Sequence, residues 1–66
     1  MTIRQALLMA QAALAQTLDA SEAKLEAQLL LQHVLNVNRA WLIIHDSDAL
    51  QANEYSDFKA LLNRRL

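Results

Sequence analysis

At 66 residues the chain has room for one domain with a small core, and the absence of Cys removes both a disulfide framework and a thiolate zinc site. Gly and Pro are absent too, which argues against tight hairpins and phosphate-cradling loops, while the Ala and Leu that dominate its hydrophobic fraction are strong helix formers. Six Lys and Arg against seven Asp and Glu create no field that would gather a nucleic acid. No apolar run approaches the roughly 20 residues of a membrane span, and the N-terminus lacks a signal-peptide pattern, so the expected home is the cytoplasm.

The first predicted helix begins at Thr2-Ile3-Arg4-Gln5, a capping box with a hydroxyl at the N-cap and an amide three residues later. Its apolar stripe is Ile3, Leu7, Ala10 and Leu14 with Ala6 and Ala13 between, and it is expected to end near Gln16 or Thr17. Asp19 or Ser21 then caps a second helix whose first turn carries Glu22, the sign the helix dipole prefers. Ala23, Ala27, Leu30, Leu31, Val34 and Leu35 form its inward face, and Lys24, Gln28 and Gln32 are expected opposite. Asn36 to Asn38 supplies a C-cap, because Asn tolerates the left-handed conformation.

Arg39 to Ile44 reads as a short third helix, since its β-branched residues have no second strand to pair with. His45-Asp46-Ser47-Asp48 is a loop of turn formers, after which Leu50 staples the start of a last helix through Gln51 to Arg65, with the stripe Tyr55, Phe58, Leu61 and Leu62. Arg64 and Arg65 complement the carbonyls of its last turn. The expected architecture is all-α, a small bundle of four, at most five, short helices in a single domain spanning 1–66.

Chemistry is sparse in this pattern. His33 and His45 lack Cys neighbours or a zinc-protease spacing, so no metal site is expected; His33 is read as a helix-boundary residue and His45 as a loop residue. Glu22 and Glu26, four apart, read as a solvated helix face, and no Ser has an adjacent base. No catalytic and no cofactor-binding residue is assigned. Trp41 is read first as a plug at the core edge, yet it is also the side chain best suited to a binding hot spot. A helix-turn-helix over Ser21 to Ile44 is disfavoured because Ala40 to Ile44 is too apolar for a DNA groove.

The order Glu26-Ala27-x-Leu29-Leu30-Leu31-x-His33-Val34, then Asn38-Arg39-x-Trp41-Leu42, then Leu50 and a helix ending Ala60-Leu61-Leu62-x-Arg64-Arg65, resembles the N-terminal helical domain of the bacterial release factor glutamine methyltransferases, the PrmC or HemK family. The resemblance covers the chain from about Glu22 onward, and its specificity lies in the combined order of packing residues. It implies a two-domain parent enzyme that uses S-adenosylmethionine to methylate the glutamine of the Gly-Gly-Gln motif in class 1 peptide-chain release factors. The family's Gly-rich cofactor loop and Asn-Pro-Pro-Tyr signature cannot be placed in a chain without Gly or Pro, so the catalytic domain is expected to lie outside these residues and the chain alone to be non-catalytic.

By the same resemblance the partners are release factors and the parent's own catalytic domain, with no direct nucleic acid and no membrane. Trp41, His45, Asp46 and Asp48 are the candidate partner-binding residues. The competing expectation is a stand-alone interaction or dimerisation module that uses exposed Leu8, Met9, Leu25 or Ile44.

Overall fold

The computed structural model describes residues 1–66 as four helices: α1 (Ile3–Leu14), α2 (Ala20–Leu35), α3 (Arg39–Ile44) and α4 (Ala52–Arg65). There is no sheet, only a single antiparallel bridge between Thr2 and Ala49. α2, the longest helix, packs against each of the other three.

Each helix start follows from a nearby polar group. Thr2 Oγ1 accepts from the Gln5 N–H while Gln5 Oε1 accepts from the Thr2 N–H, so the expected capping box forms. The two remaining orphan donors of α1 are met from far along the chain: the Ile3 and Arg4 N–H groups donate to the carbonyls of Asp48 and Asp46 at 3.0 and 2.8 Å. The Leu50 N–H donates back to the Met1 carbonyl at 2.8 Å, which closes a backbone clamp between the N-terminus and the α3–α4 loop. Of the two expected caps of α2, Asp19 holds the position; its Oδ1 accepts from the Glu22 N–H and from the Ser21 hydroxyl. Asn38 caps α3 through the Trp41 N–H, and Glu54 Oε1 accepts from the Gln51 N–H at the start of α4. α4 thus begins at Ala52, one residue later than expected, with Gln51 as its N-cap.

The helix ends are equally local. α1 stops at Leu14 rather than at Gln16 or Thr17, because the N–H groups of Gln16 and Thr17 reach back only three residues, to Ala13 and Leu14, and tighten the last turn out of α geometry. α2 ends as expected at Asn36, which adopts the left-handed conformation at φ 55°. The Val37 N–H then donates to the Gln32 carbonyl, the 6→1 bond of a Schellman motif.

The core joins Ile3, Ala6, Ala10 and Leu14 of α1 to Ala23, Ala27 and Leu31 of α2. Four alanines buried to 1% exposure or less let these two helices approach closely. Leu42 of α3, Phe58 and Leu62 of α4 and the loop residue Leu50 complete it. Leu7, Leu30, Val34, Leu35 and Tyr55 are half-buried against its edge, as their stripes predicted. Gln28 is a correction: the residue expected on the outer face of α2 is buried. The reason is that α2 has neighbours on three sides, so its buried arc is wider than a single apolar stripe.

Asp19 yields a pH test. The Glu22 backbone N–H, then the Ser21 hydroxyl, hold its carboxyl below the ordinary aspartate value. Because the folded value lies below the unfolded one, the contribution is complete above the ordinary value and is lost as the pH falls through the lowered folded one. Thermal melts of Asp19→Asn, which keeps a capping oxygen, are expected to match the parent at low pH and to fall below it above about pH 4. Parallel curves across that range would contradict the assignment.

Candidate docking surface

The loop that follows α3 brings the candidate partner-binding residues together. Trp41, on α3, is half-buried against the core, and its ring stacks on that of His45 with centroids 4.1 Å apart and planes inclined by 23°. His45 is the C-cap of α3, and its Nδ1 lies 2.8 Å from Asp48 Oδ2. Asp46 Oδ2 accepts from both Nε and Nη2 of Arg4, at 3.0 and 2.9 Å. All four side chains are therefore engaged with neighbours: Trp41 with His45, His45 with Asp48, and Asp46 with α1. Three of them form one run of contacts, Trp41 on His45 and His45 on Asp48, and the fourth, Asp46, is tied to α1. Beside Trp41 lies a shallow hollow lined by Gln32, Asn36, Val37 and Asn38.

Sequence reasoning missed a second feature that adjoins this patch. A groove of about 380 Å³ runs between α1, α2 and α3. Leu7, Ala27 and Leu42 contribute its apolar lining, and the exposed side chains of Leu8 and Ile43 stand along it. Arg4, Lys24 and Arg39 line it as well, one from each helix, and its single carboxylate is Asp46. Gln28 also lines the groove; its Oε1 is buried and has no hydrogen-bond partner. The three cations are 20 and 15 residues apart in sequence, so no local motif announced them.

Elsewhere the charged residues brace the bundle. Arg65 Nε donates to Glu26 Oε1 at 2.7 Å and ties the end of α4 to α2. Glu26, read as part of a solvated pair with Glu22, thus has a structural partner on another helix. Lys59 Nζ sits 5.9 Å from the centre of the Tyr55 ring. No three His, Asp or Glu side chains gather in a group suited to a metal ion. No helix is long and apolar enough to cross a membrane.

Four short helices around a small, alanine-rich core define a small all-α bundle domain. Its sequence identifies it further: residues 5–66 match the PrmC N-terminal domain family, and the chain belongs to that family. It is similar to a protein of Bordetella pertussis named release factor glutamine methyltransferase, with 40% identity over 48 residues. That match covers 73% of this chain and 18% of the relative, so the chain spans under a fifth of the relative's length. No solved structure matches the chain. The groove lining does not fit the S-adenosylmethionine expected for a parent enzyme. Three cations, Arg4, Lys24 and Arg39, line the groove, and the one carboxylate available to a cationic sulfonium, Asp46, is held by Arg4.

The buried amide makes a stability prediction. An acceptor removed from water without a donor costs about 1–3 kcal/mol, whereas Met has a similar shape and no such requirement. Gln28→Met is expected to raise the urea midpoint by the equivalent of about 1 kcal/mol. A lower midpoint would mean that the amide is satisfied in solution.

Proposed function

We propose that this chain is the substrate-docking domain of an S-adenosylmethionine-dependent protein methyltransferase that modifies the Gly-Gly-Gln glutamine of class 1 peptide-chain release factors. The observation that carries the reading is the 40% identity, over 73% of this chain, to a relative named for that activity. In this reading the chain binds and orients, and the cofactor and the reacting amide meet in a catalytic domain joined to it. Its partners are the release factor and that catalytic domain, its setting is the cytoplasm, and neither nucleic acid nor membrane is contacted directly.

The physical case rests on orientation. A release factor is large compared with the one amide to be modified, and contacts remote from that amide convert an encounter into a held geometry. A braced surface loses little conformational entropy on binding, which suits Trp41, His45, Asp46 and Asp48 to that role because their side chains are already fixed by one another and by Arg4.

A stand-alone adaptor or dimerisation module is favoured by one observation: Leu8, Leu25 and Ile44 are 58, 49 and 74% exposed. Met9, expected among them, is half-buried against the core instead.

Methyl transfer from labelled S-adenosylmethionine to a purified release factor separates the two readings. The full protein is expected to transfer, and removal of residues 1–66 is expected to reduce kcat/KM at least tenfold, the loss typical of one good anchoring contact. Full activity after truncation, with self-association of this chain, would favour the adaptor.

A further inference from the structure

We propose that the groove between α1, α2 and α3 is the seat of an acidic, amphipathic segment of the protein substrate, with carboxylates held by Lys24 and Arg39 and apolar side chains laid between Leu8 and Ile43. This rests on the docking reading and names the surface and the chemistry it selects.

The charge distribution points to such an occupant. The chain as a whole is slightly acidic, at −1. In the groove the balance is reversed, with Arg4, Lys24 and Arg39 against Asp46 alone. Arg4 already holds Asp46. Lys24 and Arg39, like Lys59 and Arg64, form none of the ion pairs in the structure, but they line one groove together. Two unmatched cations from different helices thus flank an apolar floor. A carboxylate arriving there finds complementary charge without displacing an existing pair.

The apolar lining fixes the second property of the occupant. Leu8 and Ile43, 58 and 60% exposed, stand on opposite helices along the groove, and Leu7 and Leu42 lie in its lining. A free inorganic anion would use the cations and leave that apolar surface wet. A polypeptide that alternates acidic and apolar side chains would cover both. The groove also includes Asp46, one of the four candidate docking residues.

Binding of the full protein to a purified release factor, and separately to a labelled synthetic peptide with Glu on one face and Leu on the other, tests the assignment. Lys24→Glu/Arg39→Glu is compared with the charge-matched Lys59→Glu/Arg64→Glu, and the fold of each is checked by circular dichroism. The proposal expects the groove pair to weaken release-factor binding at least tenfold and to flatten its salt dependence, with the control pair within about twofold. If release factor binds and the two pairs behave alike, the groove is overturned while the docking reading stands. If the release factor fails to bind but the peptide binds and is lost with the groove pair, the docking reading fails and the groove survives. Failure of both ligands to bind the unmodified protein overturns the groove.

Discussion

The N-terminus of α1 ends against backbone contributed from more than forty residues away, and much of the architecture depends on that contact. A helix start exposes N–H groups that need acceptors. Here Thr2 and Gln5 satisfy two of them reciprocally, and the carbonyls of Asp48 and Asp46 satisfy two more. The same stretch of loop buries Leu50 in the core and leads directly into α4. The Arg4–Asp46 ion pair lies over these bonds on the outside; being exposed it adds little energy, on the order of 0–1 kcal/mol, but it fixes the Asp46 side chain. The α3–α4 connection is consequently held in place without Gly or Pro to shape it.

That constraint has a functional consequence. The loop carries His45, Asp46 and Asp48, and His45 stacks on the half-buried ring of Trp41. A surface built on a clamped loop can act as a rigid bearing for a large partner, in contrast to one that must be ordered on contact. α2 has the complementary role. Because it is enclosed by the other three helices, it places Ala27 and Gln28 beneath the groove and Lys24 at its side. Burying an amide there weakens a fold that has little stability to spare.

The helices were legible because their signals are local. Thr2 with Gln5, Asp19 with Glu22, and Asn36 at a left-handed position each act within a few residues, and the structure uses each of them. The stripes of Ile3, Ala6, Ala10 and Leu14, and of Phe58 and Leu62, follow from helical periodicity alone. Gln28 was misplaced because periodicity assumes one buried face, and a central helix has more than one. The groove escaped notice for a related reason: Arg4, Lys24 and Arg39 are brought together only by the packing of three helices. Glu26 and Arg65 stand in the order of residues that resembles the family, but their pairing is 39 residues long-range and needs the α2–α4 contact to exist. The candidate patch was legible as a stretch of chain, while the stacking and hydrogen bonds that brace it were not.

Amide hydrogen exchange of the free protein, read residue by residue, addresses the clamp directly. Ile3, Arg4 and Leu50 are predicted to exchange as slowly as the buried amides at the centre of α2, because their bonds open only when the bundle opens. Exchange of those three at the rate of an unstructured loop, with α2 still protected, would show that the α3–α4 connection moves independently and would contradict a preset docking surface.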